Sequence, residues 1–248
     1  MGGHYGACFP LRFPLSLNAS TYIPMTQETA LKILQTGANV FLTGEPGSGK
    51  THTVNQYVGW LRDHGIEPAI TASTGIAATH IGGMTIHSWS GIGVRKHLSS
   101  YDLDMIASNE RVAKRVGRAH VLIIDEVSML SAETLSMADA VCREVRRNGA
   151  PFGGLQVILV GDFFQLPPVV ARDGDDGARL GFGETESGTV LAPFSFRSRA
   201  WESLHPLVCY LSEQYRQEDA VFLDLLSAVR SGETDEWINT TLAARRIG

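Results

Sequence analysis

One string constrains this chain more than any other. Gly44-Glu45-Pro46-Gly47-Ser48-Gly49-Lys50-Thr51 follows the apolar run Ala38-Asn39-Val40-Phe41-Leu42 and opens a helical stretch from about Gly49 to Asp63. Glycine, four residues, glycine, lysine and a hydroxyl residue make a phosphate-binding loop when they join a strand to a helix. The glycines let the backbone curl until its N–H groups converge on phosphate oxygens, and the next helix points its positive end at the same anion. Gly44, Gly47, Ser48, Gly49, Lys50 and Thr51 are therefore the expected nucleotide-binding set. Lys50 reaches the β- and γ-phosphates of ATP, and the Thr51 hydroxyl ligates Mg²⁺.

A loop of this kind needs a buried strand before it, and the sequence offers several. Ala69-Ile70-Thr71-Ala72, His120-Val121-Leu122-Ile123-Ile124, Gln156-Val157-Ile158-Leu159-Val160 and Val208-Cys209-Tyr210-Leu211 are continuously apolar or nearly so. Strands covered on both faces look like this, and these alternate with helical patterns. The expected fold class is α/β, a P-loop NTPase with a parallel sheet flanked by helices on both faces. The 248 residues, 44% apolar and 19% charged, suit one large globular domain. No apolar run reaches membrane-spanning length, so no membrane partner is expected. Cys8, Cys142 and Cys209 show no metal or redox spacing, which points to a reducing compartment. The net charge of −5 argues against coating nucleic acid with bulk charge, though not against a local basic channel.

Chemistry beyond the loop sits at the ends of later strands. Asp125-Glu126 follows the strand at 120–124. Ligands bind at the carboxyl ends of parallel strands, so Asp125 is placed to hold Mg²⁺ and Glu126 to act as general base on the attacking water. Gly161-Asp162-Phe163-Phe164-Gln165-Leu166-Pro167-Pro168 follows the next strand. Gln165 there can bond the γ-phosphate or the water. Arg216 is the candidate stabiliser of transition-state charge, with an ordinary surface ion pair as its competing role. Lys50, Glu126, Gln165 and Arg216 form the catalytic set, and Thr51 and Asp125 the metal set.

Six blocks then resemble, in order and at similar spacing, the Pif-one family of superfamily-one DNA helicases. They are the phosphate loop; Thr71-Ala72-Ser73-Thr74-Gly75-Ile76-Ala77-Ala78; Gly83-Met84-Thr85-Ile86-His87-Ser88-Trp89; Ile124 to Leu130; Gly161 to Pro168; and Tyr215-Arg216-Gln217 with Phe222 and Arg230-Ser231-Gly232. The resemblance runs from about Met25 to Gly232. It implies a RecA-like motor domain in which Gln27 reads adenine. It implies that the stretch from Thr74 to His87 grips single-stranded DNA, with Thr74, Gly75, His80, His87 and Trp89 as candidate DNA contacts. Core packing beside the sheet competes with base stacking for His87 and Trp89, and for Trp89 the residue type favours packing. The implied activity is ATP-driven 5′-to-3′ translocation on single-stranded DNA and duplex unwinding, in DNA repair, recombination or telomere maintenance, acting on single strands and DNA junctions. The alternative is a DNA-dependent ATPase or nucleotide switch that binds DNA without unwinding it.

The expected organisation is an extended arm over residues 1–25, a RecA-like ATPase domain over 26–232 with a Gly- and Asp-rich loop insertion at 171–190, and the start of a truncated second region over 233–248. A second RecA-like domain, in cis or in trans, is the implied partner. The expected location is intracellular: nucleus or mitochondrion in a eukaryote, cytoplasm in a bacterium.

Overall fold

The computed structural model describes residues 25–170, 190–191, 193–212, 225, 228 and 236–244. Its strands are β1 (Val40–Gly44), β2 (Ala69–Ala72), β3 (Met84–Thr85), β4 (Val121–Asp125), β5 (Gln156–Val160), β6 (Val169–Val170), β7 (Val190–Leu191) and β8 (Leu207–Leu211). Six of them form one sheet in the order β3-β2-β4-β5-β1-β8, every pair parallel. The sheet has one strand more than the apolar runs announce. β3 is two residues long, too short to carry a pattern of its own.

Alternation along each strand sends side chains to two separate cores. Val40, Leu42, Val121, Ile123, Ile158 and Val160 meet α1 (Gln27–Gln35) and α2 (Lys50–Asp63) on one face. Phe41, Leu122, Ile124, Val157 and Leu159 pack on the other. That second core also takes buried side chains from α4 (Ile86–Ser90), α5 (Ser100–Ala107), α6 (Glu110–Arg118), α7 (Ala132–Arg146) and α8 (Arg199–Leu204). A short helix, α3 (Gly75–His80), leads from β2 towards β3. Both faces are covered, as strands with no polar face require.

Helix starts follow local capping chemistry. Thr26 accepts a hydrogen bond from the Thr29 amide and opens α1, as expected of an N-cap threonine. Tyr57 of α2 donates to Gln156 Oε1 at 2.7 Å, while Gln156 Nε2 donates to the Leu34 and Ala38 carbonyls. One part-buried amide thus ties α1, α2 and the start of β5 together, at the end of the sheet away from the phosphate loop.

The chain divides into two compact units, Met25–Tyr215 and Met1–Pro24 with Arg216–Gly248. The first holds the whole sheet. Of the expected ATPase region, 26–232, most of residues 213–232 lie outside the described residues. In the second unit Glu236–Ala244 is helical, and Leu225 and Ile238 are buried. The expected arm (residues 1–24), most of the insertion (171–189) and Arg216 lie outside the described residues. The insertion is bracketed by a small antiparallel ribbon in which Val169 pairs with Leu191 and Val170 with Val190. Because its ends meet, it can be long at little cost to the core.

Candidate functional site

Strand order decides what meets at the carboxyl edge of the sheet. β1, β5 and β4 are consecutive neighbours. They deliver, side by side, the phosphate loop, the segment from Gly161 to Gln165, and Asp125-Glu126. Residues far apart in sequence are brought to one edge because each directly follows a buried parallel strand.

The loop is built to be lined by backbone. A Cβ on Gly44 would lie 2.5 Å from the Leu211 carbonyl oxygen. A Cβ on Gly49, whose φ is +86°, would lie 2.0 Å from Gln27 Nε2. Gln27, in the first turn of α1, donates to the Ser48 carbonyl at 3.3 Å and so rests on the loop. Lys50 Nζ donates to the Gly44 and Glu45 carbonyls at 2.9 and 3.1 Å. The Ser48 hydroxyl is buried and has no hydrogen-bond partner among the described residues. A glycine-lined cradle, an ammonium folded into it and an unpartnered hydroxyl fit a bound polyphosphate.

The acids are set to work with that lysine. Asp125 closes β4, and its Oδ1 accepts from the Glu126 amide at 2.9 Å. Glu126 takes a left-handed backbone, φ 52° and ψ 44°. That conformation costs a non-glycine residue about 1 kcal/mol or more, and strain of this kind gathers at working sites. Burial holds the Asp125 carboxyl above the usual range, against the Glu126 amide and the Lys50 ammonium, which pull it down. Burial also raises Glu126, the Asp125 and Asp162 carboxylates add to the rise, and Lys50 opposes it. Thr51 and Asp125 line the same small crevice, together with Val54, Asn55, Val58 and Ile81. In this otherwise largely aliphatic crevice the Thr51 hydroxyl and the Asp125 carboxylate are oxygen donors of the kind a hard cation such as Mg²⁺ would take.

Asp162 was not given a role by sequence reasoning, yet it organises the third segment. It is 1% exposed. Its carboxylate accepts from the Phe164 amide at 3.1 Å and from Gln165 Nε2 at 3.2 Å. The next residue, Phe163, anchors the segment from below. Its ring lies 4.8 to 5.8 Å from those of Phe41, Phe194, Phe196 and Trp201. Gln165 is thus an exposed side chain held on a fixed base. Phe164 and Leu166 flank it, 51% and 67% exposed. The aromatic spacing at 194, 196 and 201 was the available sequence signal, but its partner at 163 is 31 residues upstream.

The candidate DNA segment starts one hydrogen bond from the acids. Ala72 pairs with Asp125 in the sheet, and the Ser73 amide donates to the Asp125 carbonyl at 3.1 Å. Thr74 then caps α3 through the Ala77 amide. Gly75 and His80 are exposed, as is Ile76 at 77%. Thr85 caps α4 through the Ser88 amide. His87 is half-buried, and desolvation holds its pKa below the usual imidazole value.

Trp89 corrects an expectation. It is 4% exposed and packed in the core beneath α4, so its ring has no free face for a base. The apolar area of an indole is worth more against the sheet than in solvent. Packing, the competing role, describes it.

A family model described as PIF1-like helicase matches residues 25–240. The chain is 49% identical over 194 residues to the ATP-dependent DNA helicase Pif1 of Psychrobacter sp. strain PRwf-1, covering 78% of this chain and 27% of that protein. The crystal structure of Pif1 helicase from Candida albicans superposes with a TM-score of 0.73 at 34% identity, over 88% of this chain and 46% of that one. Pif1 helicase from Bacteroides, in complex with ADP-AlF3 and ssDNA, gives a TM-score of 0.71 at 28% identity, over 89% and 50%. The chain therefore spans about a quarter of that curated relative and about half of these solved chains. With the matched region covering most of its length and every sheet strand, this chain belongs to the PIF1-like helicase family.

Proposed function

We propose that this chain is an ATP-driven DNA helicase motor domain, coupling ATP hydrolysis to 5′-to-3′ movement along single-stranded DNA. One observation carries the reading. The phosphate loop and Asp125-Glu126 leave one edge of the sheet from β1 and β4, and the carbonyl of Asp125 accepts a hydrogen bond from the amide of Ser73, the residue just before the proposed DNA segment. Nucleotide chemistry and strand grip share a joint of one residue.

Each side chain has a place in the reaction. Lys50 leaves its loop carbonyls for the β- and γ-phosphates. Thr51 and Asp125 would hold Mg²⁺, which would neutralise charge on the phosphate oxygens. Glu126 accepts a proton from water as the water oxygen bonds to the γ-phosphorus and ADP departs. Gln165, released from Asp162, bonds the γ-phosphate or the water. Gln27 takes the adenine edge. Arg216 stabilises the transferring phosphoryl group, by resemblance alone. Thr74, Gly75, His80 and His87 contact the strand, with hydroxyls and amides on phosphates and imidazoles against bases.

A second RecA-like domain, in cis or in trans, would close over this edge, with exposed Phe164 and Leu166 as apolar contacts. Single strands and DNA junctions are the proposed partners, and repair, recombination or telomere maintenance the proposed setting. We place the protein inside the cell, in the nucleus or mitochondrion of a eukaryote or the cytoplasm of a bacterium. Free, buried Cys142 and Cys209 agree with a reducing compartment.

The test is ATP hydrolysis by the purified chain with and without single-stranded DNA. Stimulation by DNA that disappears in Lys50→Ala supports the reading. Hydrolysis that ignores both DNA and Lys50 defeats it. A strand-separation assay then divides unwinding from the alternative, a DNA-dependent ATPase or switch that does not unwind.

A further inference from the structure

α4 is five residues long, far below the length at which a helix stands unaided. It carries His87, so its placement sets where that imidazole meets a strand. Its start is held by Thr85, and its end turns on Gly91 at φ 79°. Close packing adds to the hold, since a Cβ on Gly91 would lie 2.9 Å from the Val112 side chain of α6. Short helices expose their last carbonyls, which carry the negative end of the helix dipole. Here those carbonyls are met by a cation from another helix. Arg115 of α6 donates Nε to the Trp89 carbonyl at 2.5 Å, and Nη2 to the Ser88 carbonyl.

This use of an arginine is unusual in what it lacks. No carboxylate pairs with Arg115 among the described residues. Burial alone holds its pKa below the usual guanidinium value. The charge is committed to two neighbouring peptide oxygens, 26 and 27 residues away in sequence. A planar fork can grip two adjacent carbonyls at once, whereas a lysine ammonium is a compact point charge.

We propose that Arg115 is a positioning residue for DNA binding: it clamps the end of α4 and thereby fixes His87 against the single strand without touching the DNA. The inference rests on the proposed DNA role of residues 74–87. Without the clamp, α4 frays from its C-terminal end, and the strand pays the ordering cost on binding.

The experiment is titration of the full chain with a fluorescent single-stranded oligonucleotide, read by anisotropy at several salt concentrations. Nucleotide affinity without DNA and thermal stability are measured in parallel. Arg115→Ala raises the half-saturating DNA concentration about tenfold, or 1.4 kcal/mol. The dependence of affinity on salt keeps its slope, because no phosphate contact is lost. Nucleotide affinity stays at the wild-type value. Arg115→Lys, which keeps the charge but not the fork, falls between, and it carries the test if the alanine variant does not fold. Unchanged DNA affinity in both folded variants overturns the proposal. A salt slope reduced by roughly the 0.7 expected for one single-strand phosphate contact also overturns it, since Arg115 would then touch DNA itself. Equal losses of nucleotide and DNA affinity overturn it too, as general destabilisation. Thr74→Ala and His87→Ala are run alongside. If they weaken DNA binding and the Arg115 variants do not, this inference alone fails. If they also leave DNA affinity unchanged, the DNA reading of the segment fails with it.

Discussion

The phosphate loop and the proposed DNA segment leave the same edge of the sheet, from β1 and β2 with β5 and β4 between them, yet they are made in opposite ways. In the loop, the residues that shape the backbone are the ones proposed to meet the nucleotide. Gly44, Gly49 and Lys50 lie within seven consecutive positions, and a Cβ at either glycine would collide at 2.5 Å or less. In the DNA segment, shape comes from elsewhere. Thr74 and Thr85 cap its helices, but α4 rests on Val112, Ile106 and Arg115 from two later helices. A site that shapes itself can be read from one string. A site shaped by distant packing cannot.

That contrast can be broken at its strongest point first. Lys50→Ala and Glu126→Gln should each lower hydrolysis by a factor of about 10² to 10⁴, the usual weight of a positioned catalytic group. DNA binding should persist in both, and Glu126→Gln should still bind ATP. Loss of ATP binding in Glu126→Gln would make the residue a ligand or a structural support instead of a base.

Trp89→Ala comes next. Emptying a core position of this size costs about 3 to 5 kcal/mol, so DNA and nucleotide binding should fall together through unfolding. Trp89→Phe should keep both. A folded Trp89→Ala that loses DNA affinity alone would make the ring a DNA contact instead of a core side chain.

Glycine substitutions sharpen the comparison. Gly49→Ala strains a φ of +86° and pushes on a mobile glutamine amide, so the protein should fold with weakened nucleotide affinity. Gly44→Ala presses on a backbone oxygen of the adjacent strand, which cannot yield as easily. Its melting temperature should drop more than that of Gly49→Ala. Thermal melts with and without ATP would separate the two.

The smallest effect is one of pH. Asp125 and Glu126 hold protons more tightly folded than unfolded, mainly because burial disfavours their charge. In the nucleotide-free protein they therefore oppose folding at neutral pH. That opposition fades as pH falls through their raised folded values. Glu126→Gln should melt slightly higher than the parent at pH 7, and the gap should narrow as pH falls through the raised folded value. A gap that stays constant as the pH is lowered until acid unfolding would remove the electrostatic cause.

Legibility followed physical locality. The parallel sheet, the loop and α2 could be read because buried strands are continuously apolar and the loop needs its glycines in one string. Asp125, Glu126 and Gln165 could be read because they directly follow such strands. β3 could not, having two residues. Nor did residues 91–119 announce α5 and α6, which bury only Ile106 and the pair Val112 and Val116. Asp162 was visible as a letter but not as the anchor of Gln165, because a buried carboxylate's partners are set by the turn around it. Trp89 shows the limit most directly. Residue type leaned towards packing without excluding stacking, and the burial of the ring beneath α4 decides for packing.

The most direct test of the account is binding of a fluorescent ATP analogue to the wild-type chain and to Lys50→Ala, each with and without single-stranded DNA. If the two sites share the Asp125–Ser73 joint, DNA will shift the wild-type nucleotide affinity, and Lys50→Ala will lose nucleotide while still binding DNA. Nucleotide affinity indifferent to DNA, or undiminished in Lys50→Ala, would contradict a coupled site at this edge of the sheet.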